Sequence, residues 1–132
     1  MGARKHITVV GAMIERDGKY LITQRKPTAT LPLLWEFPGG RVEPGETDPQ
    51  ALARELKEEM DIEVEVHERA MDVQHSYPDY DIDFRVYRCT LKKGDILHLR
   101  IHDHRWVLPA DLDEYEFPPA DEKTFEQLLG IQ

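Results

Sequence analysis

Gly40-Arg41-Val42-Glu43-Pro44-Gly45-Glu46-Thr47-Asp48-Pro49-Gln50-Ala51-Leu52-Ala53-Arg54-Glu55-Leu56-Lys57-Glu58-Glu59-Met60-Asp61-Ile62 is the stretch on which the reading of this chain turns. A glycine-rich turn leads into a segment with helical signals and an unusual density of acids. Thr47 followed by Gln50 fits a capping box, and Asp48 before Pro49 fits a cap with proline at the first helical position. The helix therefore starts at Thr47 or Asp48. At about 100° per residue, Leu52, Leu56 and Met60 fall within an arc of about 80°. Glu55, Glu58 and Glu59 occupy an adjoining arc of about 100°. One stripe can sit on a core while its neighbour lines a rim. Arg54 is expected to point away from the centre of the acids, toward Glu46, with which it would pair.

Three carboxylates on one face are costly to keep ionised. Two of them about 6 Å apart repel by roughly 3 kcal/mol at an effective dielectric of 20. A divalent cation removes that cost, and an all-oxygen donor set selects Mg²⁺ or Mn²⁺ over zinc. A solvated acidic face is the plainer reading of Glu58 and Glu59 alone. The turns at Gly39-Gly40 and Pro44-Gly45 immediately upstream favour a metal and phosphate site.

The run Gly40-x5-Glu46-x7-Arg54-Glu55-Leu56-x-Glu58-Glu59-x-Asp61-Ile62 resembles the Nudix box of hydrolases that act on nucleoside diphosphate linkages. It meets every defined position of that pattern but one, and the resemblance extends from Ile7 to Leu129. The exception is Asp61, where the family has glycine to end the helix in the left-handed conformation. Aspartate reaches that conformation at a cost of about 1 kcal/mol, and no acid of the cluster is lost.

The resemblance implies a single Nudix domain over residues 1–132, with an α/β fold: an α/β/α sandwich around a mixed central sheet. It implies Mg²⁺-dependent hydrolysis of ribo- or deoxyribonucleoside triphosphates to the monophosphate and pyrophosphate, with Mn²⁺ as an alternative cofactor. Glu55, Glu58 and Glu59 would hold the metal, the Gly39 carbonyl would join them, and Glu46 with Arg54 would orient the loop on the helix. Trp35-Glu36-Phe37 looks like the Trp-Glu-Phe segment of MutT-type and CTP-pyrophosphohydrolase-type members. This puts Glu36 and Phe37 in the substrate pocket and leaves Trp35 as a hydrophobic anchor. Arg25 aligns with a nucleotide-contacting arginine of MutT-type members. Asp121, in Pro118-Pro119-Ala120-Asp121, stands where triphosphate-cleaving members read the base, and it also suits a helix cap. Tyr80 replaces an arginine that one form of the MutT-type group has near the base. The implied role is cleaning the nucleotide pool of oxidised guanine or cytosine nucleotides. The alternatives are hydrolysis of ADP-ribose or dinucleoside polyphosphates, and a module that senses nucleotide without cutting it.

The rest of the chain agrees with one small domain. It has 132 residues, with 26 acids against 17 bases and a net charge of −9. Such a surface disfavours polymeric nucleic acid but not a small nucleotide that arrives with its own cation. The single Cys89 suits a reducing, cytoplasmic location and reads as a buried strand residue. The apolar run Ile7 to Ile14 reads as a buried strand, too short for a membrane span. Asp17-Gly18 marks a tight turn before a return strand from Lys19 to Arg25. Lys26 to Leu34 reads as a loop. Strands are expected from Ile62 to Gln74, Ile82 to Cys89 and Asp103 to Val107, with turns at Tyr77 to Asp81 and Lys92 to Asp95. A helical turn over Ala110 to Tyr115 and a last helix over roughly Asp121 to Leu129 complete the pattern. His98, Arg100, His102 and His104 alternate, so an extended strand would put them on one face. No cysteine lies near to support a zinc site, and half-exposed strand histidines are the expectation there. Asp103 is a further candidate carboxylate. The oligomeric state is not legible.

Overall fold

A β-strand that is apolar on both faces must be covered on both, and the first strand is one. The computed structural model describes residues 5–119. β1 (Lys5–Arg16) runs through the middle of a seven-stranded mixed sheet. It pairs in parallel with β6 (Tyr80–Lys93), in register from Lys5 opposite Tyr80 to Ile14 opposite Cys89. At its end it turns through Asp17 (φ 54°) and Gly18 (φ 77°) into β2 (Lys19–Gln24), antiparallel. Two successive positive φ angles are what a type I′ hairpin turn requires.

Two short strands in the stretch before the acidic helix were not foreseen. β3 (Trp35–Glu36) pairs with β2, and β4 (Gly39–Arg41) pairs with β1 through Val9–Arg41, Val10–Gly40 and Gly11–Gly39. Strands of two and three residues carry no readable alternation. β5 (Glu63–Ser76) forms the edge beside β6, with register shifts between Val66 and Arg69 and between Arg69 and Met71. The strand expected over Asp103–Val107 is β7, which pairs with β2, and a 3₁₀ turn covers Pro109–Glu114.

The side chains alternate to two cores. Val10, Ala12 and Ile14 of β1 and Tyr87 and Cys89 of β6 face helix α1 (Asp48–Met60), which buries Ala51, Leu52, Leu56 and Met60 against them. Met13 of β1, with Phe84 and Val86 of β6, faces the opposite way, toward Tyr20, Ile22, Phe37, Leu112 and Phe117. The helix on one face gives the expected α/β class. The last helix, expected over Asp121 to Leu129, lies outside the described residues. Cys89 is buried as read, and burial pushes its thiol up to about 12.

Both ends of α1 follow the sequence signals. Thr47 Oγ1 accepts from the Gln50 N–H at 3.3 Å, and Gln50 Oε1 accepts from the Thr47 N–H at 3.0 Å. Asp61 closes the helix in the left-handed region (φ 57°, ψ 40°), its N–H donating to the Lys57 carbonyl. The Asp61 side chain pairs with Lys57 at 2.7 Å. That pair is exposed and screened by solvent, so it offsets only part of the roughly 1 kcal/mol that the left-handed conformation costs a non-glycine residue. Asp61→Gly is therefore expected to stabilise the protein by about 0.5 kcal/mol, raising the thermal midpoint by about 2 °C. A lowered midpoint would show that the ion pair outweighs the backbone term.

Candidate active site

The acidic face of α1 lies over β4. An ideal Cβ on Gly40 would stand 2.4 Å from the carboxyl carbon of Glu55, so a side chain there would displace that carboxylate. Gly39 is pressed against β1 with φ 157°. The two glycines thus let a strand edge and a carboxylate row share one narrow seam.

Arg54 organises the row. Its Nε and Nη2 donate to Glu46 at 2.7 and 2.9 Å, a bidentate clamp, and Nη2 also donates to the Arg41 carbonyl at 3.0 Å. Glu46 takes a further bond from the Glu43 N–H. The Arg54 hydrogen bonds, then that N–H, hold the Glu46 carboxyl down at about 2. The expected Glu46–Arg54 pair is present, but Arg54 does not point away from the acids. Nη1 reaches Glu55 at 3.0 Å and Glu58 at 3.4 Å. A helical wheel tracks Cα directions, whereas a guanidinium carries donors on two edges and can serve two neighbours at once.

Glu58 has a second cation, Arg100, at 3.3 Å. Arg100 arrives on an irregular segment that satisfies the free carbonyls at the C-terminus of α1. Leu97 N–H donates to Met60 O, and Leu99 and Arg100 N–H donate to Glu59 O. His98 and Arg100 are therefore not on a strand, and the expected four-residue face is absent. Hydrogen bonding to helix carbonyls outcompetes sheet pairing there, and strand geometry begins only at Asp103. No sequence signal ties Arg100 to Glu58, which lies 42 positions earlier.

Glu59 sits where the crowding is greatest. Burial raises its carboxyl well above the usual range, and the charges of Glu36, Glu55 and Glu58 add to the effect. Burial also raises Glu36, opposed by the charge and hydrogen bond of Arg25 at 3.1 Å. Glu36 is thus a fourth member of the cluster as well as a pocket residue, which the sequence did not indicate.

These shifts set the sign of a pH effect. A raised carboxyl favours folding while protonated, so the Glu59 contribution is complete below about 4.5 and is lost as pH climbs through its raised value. Glu36 acts in the same direction. Glu46 is depressed, so its contribution holds above 4.5 and falls away only toward about 2. Above about pH 4.5 the acids of the seam therefore destabilise the cation-free fold progressively, until they are fully ionised. Glu59→Gln is expected to flatten that decline and to stabilise the metal-free protein near pH 7.5 by about 1 kcal/mol. Thermal unfolding across pH, with and without Mg²⁺, checks it; an unchanged pH slope in the variant would contradict it.

Beside the seam opens a cavity of about 450 Å³. Arg25, Glu36, Phe37, Gly39 and Gly40 line it, so three of the four residues expected in the pocket border one space that adjoins the carboxylates. Phe37 is 2% exposed and also packs edge-on to Tyr20. Tyr77 and Tyr80, rings stacked at 5.1 Å between centroids, form part of the wall, a platform that the expected turn did not suggest. Trp35 packs on Tyr115 and anchors the loop, as read. Asp121 lies outside the described residues. Asp103 engages Arg105 and the His104 N–H.

A family model described as the NUDIX domain matches residues 9–127. The chain is 37% identical over 131 residues to a CTP pyrophosphohydrolase of Escherichia coli K12, covering 97% of this chain and 95% of the relative. It is 36% identical over 131 residues to an 8-oxo-dGTP diphosphatase of Haemophilus influenzae, covering 96% and 94%. Among solved structures, that of the E. coli ORF135 protein superposes with a TM-score of 0.80 at 36% identity, over 98% of this chain and 93% of that one. A MutT protein of Methanosarcina mazei Go1 reaches 0.85 at 22% identity, over 98% and 96%, a likeness of fold alone.

Proposed function

This chain belongs to the Nudix hydrolase family, and from that premise we propose that it cleaves (deoxy)nucleoside triphosphates to the monophosphate and pyrophosphate, with Mg²⁺ as the working cation. The substrates favoured are cytosine nucleotides and oxidised guanine nucleotides, the two kinds that the names of its relatives carry. The observation supporting this reading is the crowding of Glu36, Glu55 and Glu58 around a raised Glu59, next to a cavity large enough for a nucleoside.

The residues present fit a hard divalent cation. The donors in the seam are oxygens, and Glu59 carries a charge penalty that a cation would relieve. Glu55, Glu58 and Glu59 would hold it, with the Gly39 carbonyl completing the set. When bound, Mg²⁺ supplies charge neutralisation on the phosphates and a more acidic attacking water. The chain's own contributions are positional. Arg54 fixes Glu46, Glu55 and Glu58 relative to the loop. Arg25 and Glu36 present a donor fork and an acceptor inside the cavity, and Tyr77–Tyr80 offers a flat apolar wall for a base. Asp121 is proposed as a second acceptor for an exocyclic amine.

The described residues contain no helix long and apolar enough to cross a membrane. With a net charge of −9, the proposed partner is a small nucleotide rather than a polymer, in the cytoplasm.

A panel of nucleotides incubated with Mg²⁺, with phosphate and pyrophosphate measured separately, tests the proposal. Pyrophosphate with CTP, dCTP or 8-oxo-dGTP is the expected product. Turnover confined to ADP-ribose or dinucleoside polyphosphates would replace the substrate assignment. Tight nucleotide binding without any product would turn the chain into a sensor.

A further inference from the structure

The segment that carries Arg100 to Glu58 brings a second group of ligating side chains together, outside the carboxylate seam. His98, Asp103 and His104 each offer a ligand atom, and these atoms all lie within 4.8 Å of one another. The two imidazoles meet through His98 Nε2 and His104 Nδ1 at 2.7 Å, rings nearly perpendicular. One of those nitrogens must be an unprotonated acceptor, which is the form that binds a metal. Tetrahedral coordination with bonds of about 2.0–2.1 Å needs the nitrogens about 3.3 Å apart, an opening of about 0.6 Å from the 2.7 Å contact. His98 is exposed and free to make that adjustment.

The third ligand is already oriented. One Asp103 oxygen accepts the His104 N–H at 2.8 Å and the other pairs with Arg105. A carboxylate oxygen keeps a lone pair after one such bond, and outer contacts of this kind fix a ligand's direction. The location matters too. Thr23 pairs across the sheet with His104 on one side and Glu36 on the other, so the three share a face. His104 therefore stands two strand spacings, about 10 Å, from Glu36, on the side of the sheet that carries the seam.

We propose that His98, Asp103 and His104 form a zinc site: two imidazoles and one carboxylate, with a fourth position open to solvent. Its donors differ in kind from the all-oxygen seam, so the two sites separate a borderline-soft cation from a hard one. Zinc there would pin the 97–102 segment to β7 and with it the Arg100 contact to Glu58.

The test uses the whole chain with no nucleotide, so its result is independent of the substrate assignment. Zinc is titrated against a chromophoric indicator in excess Mg²⁺, which keeps the oxygen site filled. One zinc per chain is expected, weakened at least tenfold in His98→Asn and in His104→Asn, and absent in the double variant. Ring-nitrogen NMR of the parent protein gives a second reading that needs no variant: the His98 and His104 signals should shift on adding zinc while His67, hydrogen-bonded to Thr90, stays put. Zinc binding that survives in the double variant, no zinc bound by the parent, or shifts confined to other histidines would each overturn the assignment.

Discussion

Glu58→Gln is expected to lower turnover about a thousandfold while leaving the fold unchanged. The substitution keeps the side chain's length and one carbonyl oxygen, so Arg54 and Arg100 each retain an acceptor at a contact now measuring 3.4 and 3.3 Å. Helix propensity barely changes between the two residues. What is lost is one negative charge in the seam proposed to hold the cation. Charge stabilisation by a bound metal amounts to several kcal/mol in the transition state, and each 1.36 kcal/mol is about tenfold in rate. Pyrophosphate release at saturating Mg²⁺ measures the loss, and circular dichroism with a thermal midpoint checks the fold. A variant that works at the parent rate would remove Glu58 from the machinery.

Gly39→Ala is expected to have the largest effect on stability. A Cβ at that position would lie 1.9 Å from the Val10 carbonyl oxygen and 2.9 Å from its carbon, both backbone atoms of the central strand. Neither can move without breaking the Val10–Gly40 and Gly11–Gly39 pairing. The φ of 157° adds strain for any residue with a side chain. Together these cost roughly 3–5 kcal/mol, a large share of what holds a domain of this size folded. Gly45→Ala is the control: its φ of 85° brings strain, but an added Cβ meets nothing within 4 Å, so a loss of about 1 kcal/mol is expected. Urea unfolding of both variants makes the comparison. Equal losses would mean that backbone strain, not the close approach, decides the Gly39 position.

The acidic helix was legible in the sequence because its signals are local. A capping box, a proline at the first turn and a residue able to close the helix all act within four positions, and the structure shows each of them. The apolar stripe was legible for the same reason. The pairs that complete the site are not local. Arg25 meets Glu36 because β2 and β3 pair, and Arg100 meets Glu58 because an irregular segment covers the end of α1. The histidines illustrate the point from the other side. Alternation predicted one strand face, but the segment bonds to free helix carbonyls instead of a neighbouring strand. The charge contributed by Glu36 to Glu59 likewise depends on two elements 23 positions apart, with no periodicity to announce it.

The parallel pairing of β1 with β6 has a consequence for how the molecule is made. Lys5 finds its partner at Tyr80 and Ile14 at Cys89, so the central ladder joins segments separated by most of the chain. Such non-local closure raises contact order and slows folding toward the millisecond-to-second range. A chain emerging from the ribosome must complete β6 before β1 gains its long partner. Until then the acidic helix can pack on Val10, Ala12 and Ile14 of β1, but the cover that Tyr87 and Cys89 of β6 give its apolar stripe is still missing.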